Sequence, residues 1–266
     1  MTVVLDGVIV SLALCLVAVL LLAISGWLYS LLVDEVSIVG PLWPIMVLVC
    51  TLIYSHFSDA QGPLSLAVQI MVILWSLRMA VFLLIRDYYR PEHKHYRLMR
   101  IEQPSAFYRL SLTKIFFGHA FSAWIASFIL AVLLFDIESE ARQWSDIHSF
   151  AIGAFTVGLI VQTVADYQLY CFSKKLKTTS SIFENGLWKY SRHPNYFAEC
   201  LIWWSWGIFA LPSGNVFAIV SPVFITYLMV KVKAAKEVEK EISSRRPAYK
   251  NYIKSTSFMV PWRSKL

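Results

Sequence analysis

Lys and Arg are missing from the first 77 positions of this 266-residue chain, and the first basic residue is Arg78. Charge is scarce throughout. Asp, Glu, Lys and Arg make up 15% of the residues, against about a quarter in a soluble globular domain. The four cysteines (Cys15, Cys50, Cys171 and Cys200) are too scattered for a disulfide framework or a zinc site, so no metal centre is expected. Neither GxGxxG nor GxxxxGKS/T occurs, which excludes a soluble-type Rossmann or P-loop nucleotide site. Met1 to Gly7 offers only Asp6 as a charge, not the positive n-region of a secretory signal. No repeat or low-complexity linker divides the chain, which predicts a single membrane domain over 1–266.

What is abundant is apolar sequence in long blocks: 58% of residues, with a mean hydropathy of +0.58. A bilayer core needs about 20 consecutive apolar residues per helix. Seven stretches meet or approach that length: about 8–33, 36–56, 63–86, 113–135, 148–171, 196–212 and 215–233. The fold class expected is an all-α integral membrane protein with about seven transmembrane helices. Gly40, Pro41 and Pro44 predict a kink or break in the second span. Pro212, Ser213 and Gly214 predict a tight hairpin between the last two.

Charge distribution orients these spans. Residues 86–114, 174–192 and those beyond Val230 hold 22 of the 24 basic residues, and seven spans put all three segments on one side. Asp136, Glu138, Glu140 and Asp146 mark the opposite side. The N-terminus is therefore expected outside and the C-terminus in the cytosol, in a multi-pass protein of the bacterial inner membrane. The net charge of +7 belongs to these membrane flanks, so no nucleic-acid partner is expected. The longest polar segments, 87–112 and 234–266, are shorter than the roughly 40 residues that fold unaided. A large polar ligand would bind at the cytosolic ends of the spans.

Ionisable side chains inside a span cost about 2.5–3.5 kcal/mol each on insertion scales and usually face a partner or cavity. Arg78 in the third span reads equally as a structural ion-pair partner or a functional group, and His119 in the fourth as a satisfied core histidine. Asp166 shares a helix face with Gln162 and Tyr170, a stripe that fits either interhelical glue or a ligand pocket. The densest signal runs from Gly186 to Glu199. There Pro194 suits the first turn of a helix, and Asn195, Glu199 and Trp203 recur along one face. Arg192 and His193 precede that helix, where its free N–H groups favour an anion. In the tail, Lys233, Lys236, Glu237, Glu239, Lys240 and Glu241 read as a solvated helix face. Its aromatics and Pro261-Trp262 predict a segment folded back as a lid over spans five and six.

Trp75-Ser-Leu-Arg78, Ala165-Asp-Tyr-Gln168, Gly186-Leu-Trp, Ser191-Arg-His-Pro-Asn-Tyr-Phe-Ala-Glu199, Tyr249-Lys-Asn-Tyr252 and Phe258-Met-Val-Pro261 together resemble an uncharacterised bacterial membrane family allied to the steroid 5-alpha-reductases. The resemblance runs from about Asp34 to Trp262. It implies a seven-helix reductase that binds NADPH from the cytosol, with Asp166, Asn195 and Glu199 on the nucleotide. Lys174, Arg192, His193, Tyr196 and Tyr252 fall beside or within matching blocks. Hydride would add to one carbon of a polarised C=C bond in a lipid or steroid-like substrate. Arg78 and a tyrosine, Tyr88 or Tyr89, are the candidates to polarise or protonate the other end.

The chain also departs from the steroid reductases. Trp75 stands where they carry a tyrosine, Gly40 replaces an acidic residue of the second span, and Ala198 replaces a glycine. Two alternatives stay open. An S-adenosylmethionine-dependent lipid or isoprenylcysteine-type methyltransferase shares the Arg-His-Pro-x-Tyr motif, although Asn195 with Glu199 suits the reductases better. A non-catalytic lipid-binding protein on the same scaffold is the other. The sequence leaves the oligomeric state open.

Overall fold

The structure, a computed structural model, describes residues 2–58, 62–88, 92–136, 143–175, 182–231, 239–240, 242–244, 246 and 249–263. Among these every regular element is helical. Tyr89, Glu138, Glu140 and Arg142 lie outside the described residues. Five helical segments are long and apolar enough to cross a membrane: Asp6–Val33, Val39–Phe57, Pro63–Tyr88, Phe107–Asp136 and Asp146–Lys174. Val216–Val230 is a shorter apolar stretch, and the helix matching the expected sixth span, Pro194–Phe209, has 16 residues. The outward surfaces are apolar, with Val17, Leu21 and Leu32 exposed in the first segment and Phe150, Val157 and Ile160 in the fifth. Large apolar side chains facing outward in rows belong to a protein whose solvent is lipid. This is a multi-pass membrane protein.

The helices group into two compact units, residues 1–145 with 210–221 and residues 146–209 with 222–266. In the first, α1 (Thr2–Val33), α2 (Val39–Phe57) and α3 (Pro63–Tyr88) pack successively, joined by α6 (Phe117–Ala126) and α7 (Phe128–Asp136). Small residues permit the close approaches, since a Cβ on Gly26 would lie 2.6 Å from Leu42 Cδ2. Buried polar groups are paired across helices: Trp43 Nε1 donates to Ser122 Oγ at 2.9 Å, and Tyr54 and Ser127 hydroxyls meet at 2.9 Å. On the polar side of this unit, α4 (Lys94–Glu102) and α5 (Phe107–Leu110) lead into the fourth apolar segment.

The break that Gly40, Pro41 and Pro44 would allow in the second span is absent. α2 runs unbroken through Pro44. The helix starts at Val39, so Pro44 lies early in it and its missing N–H deprives only the Gly40 carbonyl of an intrahelical partner. The fourth segment, by contrast, is not one regular helix. A π-helical turn occupies Ser111–Phe116, and Ser127 separates α6 from α7. The break is chemically repaired, because Ser221 Oγ accepts the Ile129 N–H at 3.0 Å and donates to the Ile125 carbonyl at 3.4 Å. In a bilayer, irregular backbone persists only where such partners exist. The expected hairpin is present as two short 3₁₀ turns, Leu211–Ser213 and Val216–Ile219, flanking Gly214 at φ 67°.

In the second unit, α8 (Asp146–Lys175) packs against α9 (Pro194–Phe209), followed by α10 (Val220–Lys231) and α11 (Tyr249–Ser255). A Cβ on Gly158 would meet Ile202 Cγ1 at 2.8 Å, and the Ala198 carbonyl and Ile202 nitrogen at 3.3 Å each. The two backbones therefore nearly touch. His148 against Phe209 and Phe155 against Trp206 continue the antiparallel pairing beyond it, with ring centroids 4.7 and 6.1 Å apart. Replacing Gly158 by Leu should force these helices apart and destabilise the protein by about 1–3 kcal/mol. Gly153→Ala, on the same helix with nothing within 4 Å of its Cβ position, should change stability by less than about 1 kcal/mol. Thermal unfolding in detergent checks the pair; equal effects would refute the close-approach account.

Candidate functional site

Going from Gly158 toward the C-terminal end of α8, the same face presents Gln162 and then Asp166. Antiparallel packing sets them against Glu199 and Asn195 of α9. Gln162 Nε2 donates to Glu199 Oε2, Trp203 Nε1 donates to Glu199 Oε1 at 2.8 Å, and Asn195 Nδ2 donates to Asp166 Oδ1 at 3.2 Å. Gln162, Glu199 and Asp166 are 2%, 4% and 5% exposed. This is the i, i+4 stripe expected of Asn195, Glu199 and Trp203, and α9 starts at Pro194 as expected. Gln162 Oε1 is buried with no hydrogen-bond partner among the described residues.

Beside this row stand Arg192 and His193. His193 Nε2 lies 3.0 Å from Glu239 Oε1, and Arg192 Nη1 lies 3.3 Å from both Glu239 oxygens. The His193 ring stacks on Tyr196 with centroids 5.0 Å apart, and the Arg192 guanidinium lies 5.6 Å from the Phe258 ring centroid. Arg192 Nε is buried with no partner among the described residues. Glu239 corrects the reading of the tail as a solvated face: it is 9% exposed and faces Arg192 and His193. Lys233, Lys236, Glu237 and Glu241 of that face lie outside the described residues.

Residues 186–192 are held by α8 and by the tail. Gly186 sits at φ 62°, and a Cβ there would meet the Gln168 amide at 2.5 Å. Gln168 Oε1 accepts the Leu187 N–H at 3.1 Å, and Trp188 Nε1 donates to the Ala165 carbonyl at 3.1 Å. From the tail, the Tyr252 hydroxyl donates to the Trp188 carbonyl, and the Arg192 N–H donates to Ser257 O at 2.9 Å. Ser191 Oγ donates to Met259 O at 2.6 Å and the Trp262 N–H to Tyr190 O at 3.0 Å. The tail thus straps the segment carrying Arg192 and His193.

The remaining candidates make other contacts or lie outside the description. Lys174 is exposed, with Nζ 4.6 Å from the Tyr170 ring centroid. Arg78 belongs to α3 of the first unit, its Nη2 3.5 Å from Met79 Sδ, and Tyr88 is exposed at the end of that helix. His119 Nδ1 is 2.8 Å from the Ile115 carbonyl, as fits a satisfied core histidine. Trp75 is fully buried, edge-on to Trp43 at 5.9 Å. A Cβ at Gly40 would lie 3.7 Å from Asp87 Oδ2, so the carboxylate near that position comes from α3, where Arg86 binds it through two nitrogens at 2.6 and 2.8 Å. Sequence reasoning placed Gln162 in a stripe with Asp166 but missed Gln168, Trp188 and Glu239 as structural partners. The quoted motifs contained Gln168 and Trp188, but nothing in the sequence marked Glu239.

Fold and site define a multi-pass helical membrane protein in which two antiparallel helices bury a carboxylate–carboxamide row next to an Arg–His pair. The chain belongs to the DUF1295 family, described as proteins of unknown function, which matches residues 26–256. It is also similar to "Uncharacterized protein C594.04c" of Schizosaccharomyces pombe, with 25% identity over 252 residues covering 85% of this chain and 72% of the relative. No solved structure matches the chain significantly.

Burial pushes the Tyr252 phenol above its ordinary value, and burial with the nearby Glu239 charge pushes Tyr249 up to about 12. A raised phenol pKa means the neutral, donating form is favoured by folding. Its contribution is full below pH about 10 and is lost as pH rises through the folded value. Tyr252→Phe should therefore loosen the strap at neutral pH, raising tryptic cleavage after Lys254 by roughly five-fold for one lost hydrogen bond. Wild-type tryptophan emission should shift only above pH about 10. An unchanged cleavage rate would show that the hydroxyl does not hold the strap.

Proposed function

We propose that the protein is a membrane-embedded, NADPH-dependent reductase of a polarised C=C bond in a lipid or steroid-like substrate, resembling the steroid 5-alpha-reductases. The observation that carries this reading is the row of buried Gln162, Asp166 and Glu199 with half-buried Asn195, beside Arg192 and His193. In the same reading α9 and Val216–Val230 are the sixth and seventh spans, the N-terminus is outside, and the row lies toward the cytosol. The basic flanks support that orientation. The fission-yeast relative extends the reading from a bacterial inner membrane to any membrane with a cytosolic face.

The residues fit such a cofactor. Arg192 has a buried, unsatisfied Nε among the described residues, and with His193 it already holds a carboxylate; a phosphate asks for the same donors. Gln162 offers an unsatisfied acceptor, suited to the N–H of a carboxamide. Asp166, Asn195 and Glu199 would orient the nucleotide, with Tyr196, Tyr252 and Lys174 at the rim. NADPH, when bound, supplies the hydride. Arg78 and Tyr89 are assigned to polarise the acceptor or hold the proton for the second carbon. Glu239 competes with a ligand phosphate for Arg192 and His193.

Quenching of the ten tryptophans of detergent-purified protein tests this. NADPH should bind saturably, and Asn195→Ala and Glu199→Ala should weaken it about ten-fold or more, as expected when a buried charged hydrogen bond is lost. Glu239→Gln should strengthen it several-fold, while NADH, lacking the extra phosphate, should respond less. Binding of S-adenosylmethionine alone would move the protein to the methyltransferase class. Binding of neither would make it a non-catalytic lipid-binding scaffold.

A further inference from the structure

The most basic connection in the first unit contains a helix whose outer face is not simply polar. On α4 (Lys94–Glu102), 100° per residue places Arg97, Ile101, Lys94 and Leu98 side by side within about a third of the circumference. Ile101 is 68% exposed and Leu98 41%, and both basic residues are exposed. The opposite face is anchored. Tyr96 is buried, and Arg100 binds Glu92 at 2.8 Å and the Asp34 carboxylate, with its guanidinium 4.2 Å from the Phe107 ring centroid. The Ser37 hydroxyl accepts the His93 N–H at 3.2 Å, and Glu92 Oε1 accepts the Val36 N–H at 3.3 Å. These contacts pin α4 to the turn between α1 and α2, at the end of two apolar helices. α4 also follows the exposed apolar end of α3 at Leu84, Ile85 and Tyr88.

We propose that α4 lies in the headgroup layer of the membrane and binds anionic phospholipid, with Lys94 and Arg97 on the phosphates and Leu98 and Ile101 inserted beside the acyl chains. A face of interleaved aliphatic and cationic side chains, fixed at the level where spans end, matches the layered chemistry of that interface. A soluble acidic partner would satisfy the charges but leave Leu98 and Ile101 in water. Exposed Tyr108 and Arg109, just beyond the helix, extend the same pattern toward the next apolar segment. The inference is independent of the nucleotide reading.

The test is the association of spin-labelled phosphatidylglycerol relative to spin-labelled phosphatidylcholine with reconstituted protein, for Lys94→Gln/Arg97→Gln and for a charge-matched control, Lys254→Gln/Arg263→Gln. Basic side chains held at an anionic surface each contribute roughly five-fold. The α4 variant should lose about five-fold or more of the anionic preference, the control should keep it, and added salt should reduce the wild-type value toward that of the α4 variant. An equal loss in both variants would show a diffuse basic rim, and no loss in the α4 variant would show that the face does not contact lipid. Either result overturns the proposal.

Discussion

The place where a side chain on Gly158 would stand is taken up by α9, with the Ala198 carbonyl and the Ile202 nitrogen both 3.3 Å from its Cβ position. That contact fixes the spacing and register of the helix pair. One turn further on, Gln162 reaches Glu199, and one turn beyond that Asp166 reaches Asn195. A bulkier residue at 158 would separate the backbones and draw Gln162 away from Glu199 and Asn195 away from Asp166. The strap of tail residues over 186–193 then holds Arg192 and His193 at the polar end of the same pair.

Magnitudes argue that this row is more than glue. Interhelical hydrogen bonds in membranes contribute on average about 0.6 kcal/mol each. Placing an acidic side chain within a span costs about 2.5–3.5 kcal/mol on insertion scales. Two bonds of that kind reach these carboxylates, Gln162 to Glu199 and Asn195 to Asp166, and together they fall short of the cost of one carboxylate placed in a span. Apolar residues at 166 and 199 would make a more stable helix pair. The proposed nucleotide site would account for carboxylates kept at such a cost.

What was legible in the sequence was whatever depends on local spacing. Five of the seven apolar blocks marked helices long enough to cross a membrane, Pro194 marked the start of α9, and the four-residue recurrence of Asn195, Glu199 and Trp203 gave a common face. Asp166 with Gln162 was readable as a stripe, but which partner each residue met depends on the antiparallel register that Gly158 imposes. The break at Ser127 was hidden because its repair comes from Ser221, far away in sequence. Glu239 was read as solvated because its charged neighbours look alike at helical spacing, and only the fold brings it to Arg192 and His193. Pro44 carried a true local signal, yet its place early in α2 made the lost hydrogen bond tolerable.

Hydrogen–deuterium exchange of the detergent-purified protein with and without NADPH tests the central claim most directly. If the buried row and the Arg–His pair form the nucleotide site, protection should appear in peptides spanning 162–174, 186–199 and 249–262 and stay unchanged across α1 to α3. Protection confined to other segments, or none at saturating NADPH, would contradict it.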